Sequence, residues 1–484
     1  MEPLSWTGAL APLTTILFTA LAALVVIFAL RTVAGLFLSP APPMAQADGT
    51  LVDARGPLEM IDTAMFFALL AVIGTLALFV LGGIVMDLNA GIVGGIMRRL
   101  LPVWIALALT MGLSYAFKRR LGLYGELFDS TIGVIGFALV MFWIFCAIFV
   151  SFDMIATYDP LGQSGAMKNK LPGTPYGRMI GDVAEGAYPY YLLGGDNLGR
   201  DVFSRMIAGS SVVVQIAPLA TLFAFMVGIT LGLPAGFYGG FLDTILTFLA
   251  NLILAFPVIL LFYLLVTPEI VATGIPTYMA AVMFLFPIAF LTILLNARYH
   301  TRPTLRAILL AAVIGGLGWL YLSLISEPMG VFRILPREVD LFDVPGGILI
   351  VFVAVVFVNA PTVFRIVRGL ALDIKTRDYV AAAQTRGEGK WYIMLWEILP
   401  NARGPLIVDF CLRVGYTTIL LGTLGFFGLG LPPESPDWGS TINDGRKLLA
   451  IYPHPALAPA LALLSLVLGL NLLADGLREE SLRD

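Results

Sequence analysis

The chain has 484 residues, of which 59% are hydrophobic and 13% charged, with a formal net charge of −3 and a mean hydropathy of +0.91. A soluble domain carries about 25% charged residues. Half that share, with repeated apolar runs near ~20 residues, indicates a polytopic, all-α membrane protein and leaves no nucleic-acid footprint.

Runs able to cross ~30 Å of hydrocarbon fall at about residues 10–36, 63–85, 101–117, 131–153, 211–236, 244–267, 277–297, 305–326, 346–367, 404–429 and 455–475, eleven in all. The first is too long for a signal-peptide core and lacks a basic flank, so it is expected to be retained as a span. Cationic residues gather at Lys118-Arg119-Arg120, at Arg298, Arg302 and Arg306, from Arg365 to Arg403, and at Arg478 and Arg483. If every run between them spans, these clusters share one side, and positive charge marks it as the cytoplasm. The third run, flanked by Arg98-Arg99 and Lys118-Arg119-Arg120, leaves two readings. If it spans, the N-terminus is outside; if it lies in the interface, the N-terminus is inside and the spans number ten. Residues 156–205 form the longest outside segment, 327–345 and 430–453 shorter ones, and 369–403 the largest cytoplasmic feature.

That cytoplasmic feature contains DYVAAAQTRGEGKWYIMLWEILPN, residues 378–401. Its Ala-rich start favours a helix, Gly387 ends it as glycine does at C-caps, and residues 390–396 can start a second, amphipathic helix. Pro400 marks the turn into the next span. The small side chains of Ala381, Ala382 and Ala383 let another surface approach closely. Trp391, Tyr392 and Trp396 equally suit a helix resting on headgroups. The GEGK at 387–390 is no phosphate-binding loop, because the first glycine is missing and Trp391 follows the lysine.

Asp409 and Arg413 lie in the tenth run, about 8 and 14 Å from Gly404 at a helical rise. Their i,i+4 spacing puts them on one face, either to pair and fix packing or to line a route. Asn359-Ala360-Pro361 in the ninth run marks a packing kink or a hinge. His300 and His454 are isolated, and Cys146 and Cys411 sit in apolar runs; neither pair offers a metal or disulfide spacing. No nucleophile–base pair accompanies Arg200 and Asp201, so an enzyme is not expected.

Residues 378–401 resemble the EAA loop of ABC-importer permeases, through Ala382-Ala383, Gly387 and Leu399-Pro400. Ala381 replaces the glutamate of that pattern, so an ion pair expected there cannot form. Three further stretches resemble dipeptide/oligopeptide-type permeases of the C-subunit kind. Residues 191–214 match through Gly194, Asp196, Gly199-Arg200-Asp201-Val202 and Ser204-Arg205. Residues 231–257 match through Gly236, Tyr238-Gly239-Gly240, Asp243 and Ala255-Phe256-Pro257. Residues 424–449 match through Gly428-Leu429-Gly430, Pro433, Pro436 and Trp438-Gly439, and 471–479 resembles the usual ending.

The resemblance implies a type I ABC-importer permease core of six spans plus about five extra ones in the bacterial cytoplasmic membrane. The core would occupy 119–267 and 345–484, and the extra material 1–118 and 268–344. It implies that Ala381, Ala382, Ala383, Gly387, Leu399 and Pro400 form an ATPase-docking loop, and that ATP is bound by partner subunits, with no cofactor in this chain. The implied partners are a homologous permease, two ATP-binding subunits, an extracytoplasmic solute-binding protein and membrane lipid. Asp196, Arg200, Asp201 and Arg205 are expected at the outer mouth, as structural contacts or as contacts for a partner. Phe248 and Asn251 stand where the family usually has Arg and Asp, which removes a charge pair and leaves Asn251, with Asp409 and Arg413, as a translocation or packing candidate. A stand-alone gradient-driven transporter is the alternative; it would need more interior carboxylates than Asp409.

Overall fold

The structure is a computed structural model that describes residues 2–37, 44–45, 51–52, 56–176, 188–326, 346–429 and 435–481. The expected outside loop 327–345, part of loop 156–205, Gly430, Pro433 and Arg483 lie outside the described residues. In chain order the helices begin with α1 (Ala11–Phe37), α2 (Pro57–Met86), α3 (Gly91–Arg99), α4 (Leu101–Ala116), α5 (Leu123–Glu126) and α6 (Thr131–Ser151). Then come α7 (Val202–Tyr238), α8 (Gly240–Leu254), α9 (Val258–Val266), α10 (Pro268–Ala272), α11 (Ile275–Met283), α12 (Leu285–Arg298) and α13 (Pro303–Ser326). The last are α14 (Gly346–Ile374), α15 (Asp378–Thr385), α16 (Lys390–Tyr392), α17 (Leu399–Asn401), α18 (Arg403–Phe426), α19 (Trp438–Arg446) and α20 (His454–Ser481).

Among the described residues, nine helices are long and apolar enough to cross a membrane, with α11 and α12 acting as one. The sixth expected run is not one straight span: α8 and α9 meet at 82°. Pro257 lacks an N–H and restricts Phe256, so the helix stops there and restarts. α7 starts nine residues before the expected 211, because the Asp201 carboxylate caps it by accepting from the Ser204 N–H at 2.9 Å.

The two readings of the third run are resolved by packing. α4 lies beside α6 in the opposite sense: Trp104 meets Phe142 at 5.3 Å between ring centroids, and Met111 packs with Phe128 and Phe137 near the start of α6. At its other end, the Leu4 N–H donates to Gly173 O at 2.9 Å and the Ile92 N–H to Ser5 O at 3.0 Å. The N-terminus therefore joins the outside segment, and α4 crosses. Its 16 residues reach about 24 Å. With α4 and the bent pair, the crossings among the described residues number eleven.

Glycines set the core by close approach. A Cβ at Gly228 or Gly236 of α7 would lie 2.5 Å from Val363 or 2.7 Å from Ala371 of α14, and one at Gly136 of α6 would lie 2.3 Å from Leu473 of α20. Without water to drive helices together, such small-residue contacts bring backbones into dispersion range. By contrast, α1 buries no residue and α2 only Gly83; they pack on each other, with Arg31 bridging Asp62 at 2.9 Å. The helices α11 and α12 border an apolar cavity of about 550 Å³ shared with α7, α8 and α14.

Candidate functional site

The cytoplasmic island is a helix, a glycine turn and a second helix. The C-terminus of α15 is closed by Gly387 N–H donating to Gln384 O at 3.0 Å and Glu388 N–H to Ala383 O at 3.2 Å, the paired bonds of a Schellman cap. Gly387 has φ +77, which a side chain resists. The second helix carries a π-helical turn at Ile393–Ile398, a feature found mostly at functional places.

The loop has two faces. Val380, Ala383, Ile393, Met394, Leu395 and Ile398 are buried against the inner ends of the spans. Ala381, Ala382, Gln384, Arg386 and Gly387 are exposed. Of the six expected docking residues, Ala381, Ala382, Gly387 and Pro400 therefore present themselves. Ala383 turns inward instead, and Leu399 is half-buried. The helical period explains this: residues 380 and 383 share the face that the membrane side covers.

The back of the loop grips several helices at once. The Arg298 guanidinium of α12 lies 4.5 Å from the Trp396 ring, and the Lys390 ammonium 5.1 Å from the Tyr238 ring at the end of α7. Arg386 bridges Glu397 at 2.9 Å across the turn. Just above, the Arg368 Nε and Nη2 of α14 both donate to the Asp243 carboxylate of α8, the second at 2.6 Å, and the Lys375 ammonium donates to Gly236 O at 2.8 Å. This Asp243–Arg368 clamp was not expected from sequence. Asp243 belongs to the 231–257 stretch, but its partner lies 125 residues away, beyond any spacing signal.

The outer-mouth candidates come together as a buried knot. The Asp196 carboxylate accepts from the Arg200 Nε at 2.6 Å, and the Arg200 Nη2 reaches Asp444 at 2.7 Å. Asp201 also accepts from Thr157 at 2.9 Å; burial, outweighing these hydrogen bonds, pushes its carboxyl up to about 6. Arg205 donates to the carbonyls of Pro160 and Ser435 and to Thr441, each at 3.2 Å. The Trp438 indole donates to Met206 O at 2.7 Å, and a Cβ at Gly209 would lie 2.4 Å from that ring. The 191–214 and 424–449 motifs are thus the two halves of one structure. Asp196, Arg200, Asp201 and Arg205 are at most 4% exposed, so they hold that knot and present almost no surface.

Within the spans, Arg413 donates to Asp409 at 2.7 Å, both partly buried. α14 continues helically through Asn359-Ala360-Pro361, and the Asn359 Nδ2 reaches Thr417 of α18 at 3.2 Å. Within this chain Asn251 is exposed on α8, as is Phe248 at 64%. His300 rests on Tyr392, and His454 is buried beside Gly195 O.

Bent and straight spans around glycine contacts, with one amphipathic cytoplasmic loop between α14 and α18, define the type I ABC permease fold, a non-catalytic, multi-pass component of the bacterial inner membrane. The chain belongs to the family of binding-protein-dependent transport system inner membrane components, which it matches over residues 228–479. It is 30% identical over 295 residues to the glutathione transport system permease protein GsiD of Pectobacterium atrosepticum, covering 61% of this chain and 73% of that one. It is 28% identical over 367 residues to the dipeptide transport system permease protein DppC of Haemophilus influenzae, covering 76% and 96%. DppC of Alkalihalophilus pseudofirmus is 26% identical over 332 residues, covering 69% and 82%. Membership brings ATPase and binding-protein partners in general terms, and a gradient-driven secondary transporter is not supported.

Proposed function

We propose that this chain imports peptides or similar small solutes, forming half of a translocation path with a homologous permease and coupling to two ATP-binding subunits through residues 378–401. The observation that carries this reading is the two-faced loop. Its exposed Ala381, Ala382 and Gly387 form a low, side-chain-poor surface that a soluble subunit can approach. Its buried back packs in one cluster with Phe225 and Leu233 of α7 and Ala297 of α12. A push on the exposed face moves these spans together, which is what alternating access between two packed states requires. The peptide class rests on the dipeptide and glutathione permeases that the chain resembles over most of their length. An extracytoplasmic binding protein would deliver the solute to the outer mouth.

The test is to purify the tagged chain from its own cell in mild detergent, identify what accompanies it, and measure dipeptide uptake by the reconstituted assembly. A second permease, two ATPase copies and ATP-dependent uptake are expected. Recovery of the chain alone would overturn the coupling role.

A further inference from the structure

α14 differs from every other long span: among the described residues it exposes no large apolar side chain. α1, α2, α6, α7, α11–α12, α13, α18 and α20 all do, for example Leu457, Leu461, Leu464 and Leu468 on α20. The open stripe on the inner half of α14 is instead Arg365, Gly369 and Asp373, with the half-buried Thr362 above them, spaced three or four apart on one face. Arg365 is exposed and has no hydrogen bond or ion pair among the described residues. A face meant for lipid tails is not built this way: Arg365 lies two residues inside the expected end of the ninth run, where an unpaired guanidinium needs water, a headgroup or a partner.

The Asn359–Thr417 hydrogen bond fixes the register of α14 against α18. Counting toward the cytoplasm from that bond, Arg365 lies about 9 Å down α14, with Arg413 about 6 Å and Asp409 about 12 Å down α18. On α18, Asp409 and Arg413 fall between the Thr417 side, turned to α14, and the exposed Leu412 and Tyr416 side. By the helical period all three charges therefore lie toward one side of the α14–α18 pair, at levels that differ by about 6 Å. Asp409 is already engaged by Arg413 at 2.7 Å, so two guanidiniums against one carboxylate leave one positive charge.

We infer that Thr362, Arg365 and the Asp409-held Arg413 line the inner half of the water-filled path, and that Arg365 is the contact for an anionic group, a carboxylate, on the passing solute. Arg413 is oriented by Asp409, whereas Arg365 is kept free to pair with cargo. The inference rests on the importer reading above.

The test uses thiol labelling of the assembled transporter in inside-out vesicles, in a Cys411→Ala background. Thr362→Cys is probed with a sulfonate-bearing and a trimethylammonium-bearing methanethiosulfonate. Both are expected to react, whereas Leu464→Cys on the apolar stripe of α20 stays silent. Adding Arg365→Gln should lower the anionic-to-cationic rate ratio by roughly threefold or more, the effect of one charge about 6 Å away in water; Arg365→Lys should preserve it. Thr362→Cys as silent as Leu464→Cys would place this face against lipid or protein and overturn the inference, as would a ratio indifferent to Arg365→Gln. Dipeptide uptake by the wild-type assembly is read separately. Its absence would sink the peptide reading, while the labelling pattern would still decide whether this face is wet.

Discussion

Breaking the Asp243–Arg368 clamp should loosen the link between the cytoplasmic loop and the bent pair α8–α9. The pair is bidentate, and its side chains are 17% and 29% exposed. Fully exposed pairs are worth about 0–1 kcal/mol, and removing one partner of a fully buried pair costs about 3–5 kcal/mol. With two charge-assisted bonds and partial solvent screening, Asp243→Ala or Arg368→Ala should each cost about 2 kcal/mol. The double variant should cost little more than either, a coupling of at least ~1 kcal/mol. Asp243→Arg with Arg368→Asp should recover part of the loss. Thermal unfolding of the detergent-solubilised complex measures the cycle, and ATP-dependent uptake should fall in the same order. Additive single effects, with no recovery on charge exchange, would refute the clamp.

Two more perturbations follow from the geometry. At Gly387, φ +77 with no atom of this chain within 4 Å of an added Cβ makes the cost within the chain conformational, roughly 1–2 kcal/mol for an L-residue. Uptake should therefore fall more for Gly387→Val than for Gly387→Asn, which tolerates that conformation; equal losses would contradict a conformational cause. At the outer knot, Asp201 is raised from 3.8 to about 6 in the folded protein. Its contribution is therefore fully present below about pH 4 and is lost as pH rises through about 6. Asp201→Asn should flatten that decline, read as unfolding temperature against pH between 4 and 8; an unchanged slope would mean that Asp201 does not titrate there.

The positions of the long apolar spans and the two-part cytoplasmic loop were legible in the chain, because both rest on local signals: apolar run length, a glycine in an Ala-rich helix, and a proline at the next span. Pro257 carried the local sign of a break, yet the 82° bend at α8–α9 was hidden beneath an apolar run that reads as continuous. The N-terminal side was open in the sequence because Arg98-Arg99 and Lys118-Arg119-Arg120 carry conflicting charge signals; the hydrogen bond from Leu4 to Gly173 supplies what charge counting could not. Ala383 shows the limit of motif reading. It belongs to the Ala run but faces inward, since only three or four neighbours can share a helix face. The exposed, unpaired setting of Arg365 was invisible because Arg365 counted merely as one more cytoplasmic cation until α14 was packed.

The most direct measurement is site-specific cross-linking of the loop in the native assembly. Ala382→Cys, on the exposed face, should cross-link to an ATP-binding subunit through a short bifunctional reagent, with a yield that changes on ATP binding, whereas the buried Ala383→Cys should not. An Ala382→Cys variant that inserts normally, transports solute and meets no ATPase would contradict the claim that this loop couples ATP hydrolysis to the spans.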